Sequence, residues 1–267
     1  MQVEQVILYI SNWLKTYTEK ANTQGFVVGV SGGIDSAVTS TLCARTQLPV
    51  WCVTLPIHQD QAQVQRAKNH ISWLQRTYKN VHDCNTNLTP VFEIFKTQLQ
   101  NQAAKDPDLQ ALTLANTRAR LRMTCLYYYA GIYKALVAGT GNKVEDFGVG
   151  FYTKYGDGGV DISPIADLLK SEVYTLAKHL QIIPEILNAA PTDGLFGDSR
   201  TDEDQLGATY DELEWAMQVL QQNTALEHLT TRQREVLRIY KKLNTANQHK
   251  MNPIPVCEIP QKLKHSV

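Results

Sequence analysis

The N-terminal segment carries apolar side chains at the period of an α-helix. They recur at intervals of three and four positions, at Val3, Val6, Ile7, Ile10, Trp13, Leu14 and Tyr17. This spacing puts them on one face of an amphipathic helix. Similar patterns predict helices over residues 37–44, 62–76, 88–99, 114–134, 211–220 and 231–243.

Short, continuous apolar runs lie between the predicted helices and indicate buried strands. They cover residues 26–30, 50–55 and 135–138, and a weaker run covers 81–84. A strand, a helix and a second strand in succession form a parallel pair, because the crossover returns the chain to the same end of the sheet. We therefore predict an α/β protein with an open parallel sheet of about five strands flanked by helices.

The first predicted strand breaks into a Ser/Gly turn, Ser31-Gly32-Gly33, just before a helical pattern that begins near Asp35 and Ser36. Glycines let an anion approach the main chain closely, and the unpaired N–H groups at a helix N-terminus attract negative charge. This combination of strand, turn and helix predicts a phosphate-binding loop.

The loop differs from a Walker-type loop, because it contains no Lys and places Asp35 where phosphates would gather. A carboxylate beside phosphates is costly unless a divalent cation lies between them. Bound Mg²⁺ is therefore expected. Without the loop Lys that contacts the γ-phosphate, a kinase is a poor fit.

Two later segments carry further candidates for this chemistry. The sequence Gly-Thr-Gly-Asn-Lys-Val-Glu at residues 139–145 follows a predicted strand, and Glu145 is either a second ligand of the cation or an unrelated surface residue. Residues 150–161 combine aromatic rings and glycines with Lys154, Asp157 and Asp161. This composition suits an anionic aromatic ligand, although a packed hairpin loop has a similar one.

Three motifs carry a family resemblance. They are Ser-Gly-Gly-Ile-Asp-Ser at 31–36, Gly-Thr-Gly-Asn-x-x-Glu at 139–145 and Phe-Tyr-Thr-Lys-Tyr-Gly-Asp-Gly-Gly at 151–159. The first resembles the pyrophosphate loop of the ATP pyrophosphatases, and all three together resemble the ammonia-dependent NAD synthetases. The similarity covers most of residues 1–253. It implies a Rossmann-like sheet of the ATP-pyrophosphatase type, in a single synthetase domain over residues 1–267 without an N-terminal glutaminase domain.

The resemblance also assigns roles to individual residues. Asp35 and Glu145 would hold Mg²⁺, and Asp157, Lys170 and Asp35 are expected to act in catalysis. ATP would be bound by Gly29, Val30, Ser31, Gly32, Gly33, Ile34, Asp35, Ser36, Thr140, Lys170 and Thr192. Nicotinic acid adenine dinucleotide (deamido-NAD) would be bound by Arg120, Lys154, Asp161, His249 and Lys250.

The implied reaction is the amidation of deamido-NAD by ammonia through an acyl-adenylate, with ATP as co-substrate and NAD, AMP and pyrophosphate as products. Asp157 is either the general base that deprotonates ammonium or a residue that caps the glycine-rich turn. The alternatives are a GMP synthetase, an asparagine synthetase or a tRNA thiolase of the same superfamily. An ATP-binding sensor without turnover is an alternative of a different class.

The chain departs from the family pattern in two places. The sequence Gly-Thr-Gly-Asn-Lys-Val-Glu resembles the glutamine-using branch more than the Gly-Thr-Asp-His form of the ammonia-using branch, and one extra residue precedes the Phe-Tyr-Thr-Lys motif. Glutamine-using members also carry a large amidase domain before the synthetase, whereas here only about 25 residues precede the phosphate loop. Free ammonia, or ammonia from a separate subunit, is then the implied donor.

The sequence by itself does not decide the roles of three other segments. Residues 193–202 form either a lid over the nucleotide or a surface linker. His58 is expected to be a loop residue or a contact of the adenine edge, and the alternative is a base. His249 and Lys250 lie in a polar tail after the last predicted helix.

Composition and charge limit the kinds of partner that the protein is expected to bind. Equal numbers of basic and acidic residues, 26 each, give no net charge, so a broad grip on nucleic acid is not expected. No apolar run is long enough to cross a bilayer. The five cysteines form no C-x-x-C pair and are expected to be buried free thiols. A cytoplasmic protein fits these features, and the family resemblance implies a homodimer.

Overall fold

A computed structural model describes residues 1–99, 105–192, 201–222 and 228–264 of the chain. Four strands are formed, β1 (Phe26–Gly29), β2 (Val50–Thr54), β3 (Val81–Asn85) and β4 (Leu136–Val137). The α-helices are α1 (Val3–Lys20), α2 (Ile34–Arg45), α3 (Gln61–Thr77), α4 (Thr89–Gln98), α5 (Pro107–Tyr133), α6 (Lys170–His179), α7 (Pro184–Leu187), α8 (Asp202–Leu206), α9 (Tyr210–Gln221), α10 (Thr231–Met251) and α11 (Gln261–Lys264). A π-helix spans Val144–Val149.

The sheet is entirely parallel and has the strand order β3-β2-β1-β4. In β1, Phe26 lies opposite Val50 of β2 on one side and opposite Leu136 of β4 on the other. The chain therefore adds β2 and then β3 on one side of β1, and it then crosses to the other side of β1 to add β4. All four strands keep the same direction. In open parallel sheets the point where the chain changes sides marks the crevice where ligands bind, beyond the carboxyl ends of the strands.

Helices cover both faces of the sheet, as the buried apolar strands require. Alternate residues of β1 point to opposite faces, so Val28 packs with α1, α2 and α6 while Val27 packs with α4 and α5. A third apolar cluster joins the π-helix to α9 and α10, with Val144 and Tyr240 among its members. This cluster anchors the later part of the chain beside the carboxyl edge of the sheet.

The α/β prediction is confirmed, but the expected number of strands is wrong. The sheet has four strands in the described part of the chain, and the next position holds a single bridge between Ala138 and Ile162. Asp161 and Ile162 both donate their N–H groups to Val137 O. Pro164, two residues later, has no N–H group to continue the ladder.

Two helices extend beyond the segments that periodicity predicts. α5 begins at Pro107, where Asp106 caps it by accepting a hydrogen bond from the Asp108 N–H group. α10 continues to Met251. His249 and Lys250 therefore lie in the last turn of a helix, and their expected position in an irregular tail is wrong.

The structure also bears on several expectations drawn from composition. No helix among the described residues is long and apolar enough to cross a membrane. All five cysteines are free, and Cys43 and Cys52 are buried as expected, but Cys257 is exposed. The proposed lid falls largely on residues 193–200, which lie outside the described residues.

A histidine is buried between the helix of the phosphate loop and its neighbour. His70 on α3 is fully buried, and its Nε2 atom shares a hydrogen bond of 3.0 Å with the Ser40 hydroxyl on α2. Its ring stacks on Trp73 at 5.5 Å, and its Nδ1 atom has no hydrogen-bond partner among the described residues. Burial lowers the pKa of His70 from its ordinary value of 6.5 to about 4.

We expect this histidine to make the protein sensitive to acid. Because the folded pKa lies below the unfolded one, the stabilisation is fully present above pH 6.5 and is lost as the pH falls towards 4. The loss amounts to about 3 kcal/mol. Urea unfolding between pH 7 and 4 should show a smaller acid-dependent loss for His70→Gln than for the wild type. The control is His228→Gln, at an exposed histidine, and an unchanged slope in His70→Gln would contradict the assignment.

Candidate active site

A cavity of about 240 Å³ opens at the carboxyl edge of the sheet. Its walls come from the loop after β1, from Val53 and Leu55 at the end of β2, and from Gly139 after β4. The cavity therefore lies at the point where the strand order reverses, as expected for an open parallel sheet.

The cavity brings together every residue predicted to bind ATP or the metal, and Asp157 as well. The predicted residues in its wall are Gly29, Val30, Ser31, Gly32, Gly33, Ile34, Asp35, Ser36, Thr140, Glu145, Asp157, Lys170 and Thr192. They come from segments more than 150 positions apart in the chain, so their convergence is a property of the fold.

The phosphate loop is held in shape by its own side chains. The Ser36 hydroxyl donates to Gly33 O at 3.0 Å and accepts from the Ser31 N–H group at 3.2 Å. Gly32 has a φ of 87° and packs against the backbone of α3, so a side chain there would clash with Gln63 O. The N-cap residue of α2 is Gly33, which has no capping side chain. The first N–H groups of α2 thus remain available for an anion.

Lys170 lies between the two predicted metal ligands. Its Nζ atom is 2.6 Å from Asp35 Oδ2 and 3.1 Å from Glu145 Oε1, and its side chain is only 4% exposed. Burial lowers the pKa of Lys170, but the charges of Asp35 and Glu145 outweigh burial, and the pKa lies above its ordinary value. The ammonium group is therefore held in its charged form as the counterion of both carboxylates.

Two neighbouring polar groups complete this cluster. The Tyr210 hydroxyl donates to Glu145 Oε1 at 2.5 Å, and the Tyr210 ring lies 4.6 Å from Lys170 Nζ. Burial and the adjacent Glu145 raise the pKa of Tyr210, so the phenol keeps its proton and remains a donor. The Asn142 amide donates to Asp35 Oδ1 at 3.3 Å. Together these contacts fix both carboxylates in one orientation towards the cavity.

A π-helix lies just before the Phe-Tyr-Thr-Lys motif, where the sequence comparison with the family pattern predicts one extra residue. One inserted residue is enough to convert a helical turn to the π form, which is often found at functional sites. Here the π-helix carries both Glu145 and Asp146 into the cavity wall. The Asp146 carboxyl fills the space that a side chain at Gly141 would need. Burial, and then the charges of Glu145, Asp157 and Asp35, raise the pKa of Asp146.

Asp157 has a structural contact as well as a place in the cavity. Its Oδ1 atom accepts a hydrogen bond of 2.9 Å from the Thr153 N–H group, as a turn-capping residue does. Since a carboxylate has a second oxygen, this contact leaves its predicted role as a base open.

The five residues predicted to bind the dinucleotide are not part of the cavity wall. Three of them form a linked group: Arg120 Nε donates to Lys154 O at 3.2 Å, and Lys154 Nζ donates to His249 O. This group joins α5, the glycine-rich segment and the end of α10.

Lys250 and Asp161 make contacts that hold the local backbone. Lys250 Nζ donates to Gly150 O at 2.7 Å and to Tyr152 O at 2.8 Å. Asp161 accepts from the Val137 N–H group at 2.8 Å and from the Tyr127 hydroxyl at 2.9 Å. Both residues therefore tie the glycine-rich segment to its neighbours.

Sequence reasoning missed several residues of the cavity. Arg66 and Arg122 line it but belong to no motif, so no pattern in the sequence identifies them. Asp202 lies in a segment, Asp202-Glu203, that shares the family resemblance, but the resemblance assigns it no role. Asp146 also lines the cavity and is not predicted from the sequence. His58 does not line the cavity; its Nε2 atom lies 2.7 Å from Glu93 Oε1.

Comparisons with known proteins give a consistent result. The NAD synthase family profile matches residues 6–254. The NH(3)-dependent NAD(+) synthetase of Carboxydothermus hydrogenoformans is 37% identical over 76% of this chain and 80% of its own. Among solved structures, the NMN synthetase of Francisella tularensis superimposes with a TM-score of 0.84 at 30% identity, covering 97% of this chain and 100% of its own. The NH3-dependent NAD synthetase of Campylobacter jejuni gives 0.76 at 26% identity, with the same coverage.

We expect Lys170 to be essential for the stability of the unliganded protein. Lys170→Met should cost about 3–5 kcal/mol, because it leaves two carboxylates in the cavity wall without their internal cation. Urea unfolding at pH 7, without nucleotide or divalent cations, measures this. The control is Lys143→Met, which removes an ion pair of 2.8 Å to the exposed Asp167 and should cost less than about 1 kcal/mol. Equal losses in the two variants would show that Lys170 is not a buried counterion.

Proposed function

The chain belongs to the NAD synthase family, and on that premise we propose that it is an ammonia-dependent NAD synthetase, a ligase that forms a carbon–nitrogen bond at the expense of ATP. The observation that carries the proposal is the shared cavity in which a phosphate loop without Lys faces Asp35 and Glu145. The family match favours NAD synthetase over the GMP synthetase-like and other superfamily alternatives.

In the proposed reaction the carboxylate of deamido-NAD attacks the α-phosphorus of ATP. Pyrophosphate leaves, an acyl-adenylate forms, and ammonia then displaces AMP to give the amide of NAD. The N–H groups of the loop and of the first turn of α2 bind the phosphates, and they are oriented before the reaction begins. The loop therefore acts by positioning and by electrostatic stabilisation.

The residues present fit a magnesium ion. Asp35 Oδ2 and Glu145 Oε1 both converge on the Lys170 ammonium, so a cation is already accommodated between them. Magnesium ions are commonly bound by one or two carboxylates together with phosphate oxygens. Asp35 and Glu145 would hold Mg²⁺, which supplies charge neutralisation for the phosphates when bound.

The residues assigned to deamido-NAD extend the binding surface beyond the cavity. Arg120, Lys154 and His249 are linked to each other, and Asp161 and Lys250 brace the segment beside them. A dinucleotide is long enough to need such an extended surface. The single domain over residues 1–267, the homodimer and the cytoplasmic location stay predictions from the sequence.

A second candidate function is the amidation of nicotinic acid mononucleotide. The observation that favours it is the similarity to the Francisella tularensis NMN synthetase over the whole of both chains, with a TM-score of 0.84 against 0.76 for the Campylobacter jejuni NAD synthetase. The two functions share the ATP chemistry and differ only in the acid that is activated.

One experiment tests both candidates. The purified protein is incubated with ATP, Mg²⁺ and ammonium chloride and with deamido-NAD, nicotinic acid mononucleotide or xanthosine monophosphate, and pyrophosphate and the amide product are quantified. We expect deamido-NAD to give pyrophosphate and NAD. Asp35→Asn should slow pyrophosphate release by about 10²–10³-fold, because a preorganised charge is removed.

The outcomes separate the candidates. A kcat/KM more than about tenfold higher for the mononucleotide, or about 1.4 kcal/mol of transition-state binding, would assign the chain to NMN synthesis. No pyrophosphate release with any of the three acids would exclude both amidation reactions and the GMP synthetase reaction, and it would favour the ATP-binding sensor.

We also propose that Asp157 takes the proton from ammonium. Asp157→Asn keeps an oxygen for the Thr153 N–H group but removes the charge, so pyrophosphate release should survive while amidation slows by about 10²–10⁴-fold. The ammonium KM should rise, and the rate should depend more steeply on pH. The control is Asp167→Asn, at a fully exposed carboxylate. A wild-type ammonium KM and pH profile in Asp157→Asn would make it only a turn residue.

A further inference from the structure

Arg66 differs from the other cations of the active-site cavity because it has a buried donor without a partner among the described residues. It lies on α3 and lines the cavity, and its Nε atom is buried without a hydrogen-bond partner in the part of the chain that the structure describes. An unpaired buried donor costs free energy, so natural proteins usually satisfy it. Arg66 differs from the other buried groups without a partner because it lines the cavity, where a bound ligand would supply the missing acceptor.

The other two cations of the described cavity wall already have partners. Lys170 is bound by Asp35 and Glu145. Arg122 donates to Leu55 O at 2.9 Å and to Gln59 Oε1 at 3.2 Å. Because the phosphate loop itself has no Lys, Arg66 is the cavity cation that no internal group neutralises in this part of the chain.

Arg66 is also placed correctly to reach phosphates. The phosphate loop packs directly on the turn of α3 that carries Arg66, and a side chain at Gly32 would meet Gln63 O, Ala67 N and the Arg66 Cβ atom. The phosphate loop and Arg66 thus lie side by side in the cavity wall. A guanidinium group presents a planar fork of donors that matches two phosphate oxygens.

We propose that Arg66 binds the β- and γ-phosphates of ATP and the pyrophosphate that leaves. It replaces the Lys that a Walker-type loop would carry, from a neighbouring helix. This inference rests on the proposed cleavage of ATP between its α- and β-phosphates, and it adds a residue that the loop motif does not contain.

Binding of inorganic pyrophosphate tests the proposal without turnover. Isothermal titration with pyrophosphate and Mg²⁺ compares the wild type with Arg66→Gln and Arg66→Lys. We expect about 10–100-fold weaker binding by Arg66→Gln, because charge-assisted hydrogen bonds are lost. Arg66→Lys should bind with intermediate affinity, since it keeps the charge without the fork. Binding of AMP, which has only the α-phosphate, should change less than about twofold in either variant.

Two controls separate a ligand contact from a structural one. Lys68→Gln removes a positive charge from the same helix at an exposed position outside the cavity wall, and it should bind pyrophosphate like the wild type. Urea unfolding of Arg66→Gln should occur at the same or a higher urea concentration than that of the wild type, because an unsatisfied buried donor is removed.

The proposal is overturned if Arg66→Gln binds pyrophosphate as the wild type does, or if Lys68→Gln or AMP binding shows an equal loss. It is also overturned if the wild type does not bind pyrophosphate. Its failure is distinct from that of the proposed function. If no acid supports pyrophosphate release but Arg66→Gln still weakens pyrophosphate binding, the activity is wrong and the phosphate contact stands.

Discussion

The contact of Lys170 with Asp35 and Glu145 is the constraint on which the site depends. Each partner comes from a different element: Asp35 from α2, Glu145 from the π-helix and Lys170 from the first turn of α6. Two carboxylates in one cavity wall repel each other, and a Lys at the N-terminus of a helix faces the unfavourable end of the helix dipole. Each of these costs is offset only when all three groups meet, so the contact ties the three elements together.

The same contact prepares the cavity for phosphate chemistry. A pocket that gathers ATP must supply positive charge, but the phosphate loop has only backbone N–H groups. The cation that no described group neutralises comes from another element, Arg66 on α3, whereas Lys170 on α6 balances part of the charge of Asp35 and Glu145. A divalent ion held by Asp35 and Glu145 would add positive charge to that of Arg66. Distributing the charge in this way leaves the loop free to pack its Gly32 against α3 at close range.

The π-helix determines which side chains of its segment reach the cavity wall. An α-helix over the same segment would rotate the residues after Glu145 by roughly 100° for each residue removed. The π form puts Glu145 and Asp146 into the cavity wall together, and Asp146 takes the space over Gly141. The residues at positions 141 and 146 are therefore linked, because a side chain at 141 and the carboxyl of Asp146 exclude each other.

Much of the fold and half of the site follow from the sequence. Apolar runs and helical periods are local, so they predict the α/β class, β1 to β4 and the phosphate loop. Asp35 is identified by its place in that loop, because a carboxylate beside phosphates needs a cation. The N-terminal end of α5 and the C-terminal end of α10 are not predicted. α5 begins where Asp106 caps it, and the turns added to both helices are exposed or half-buried, so they do not continue the apolar period of the buried face.

The tertiary structure alone decided which groups meet. Arg66 and Arg122 have no motif, and they line the cavity only because α3 and α5 pack beside the carboxyl edge of the sheet. Asp161 and Lys250 match the family pattern, yet each is hydrogen-bonded to backbone groups outside the cavity wall, and Asp161 also to the Tyr127 hydroxyl. The sequence determines local conformation and chemical type, because both depend on neighbouring residues. Distance, burial and pairing depend on residues far apart in the chain, so only the packed structure determines them.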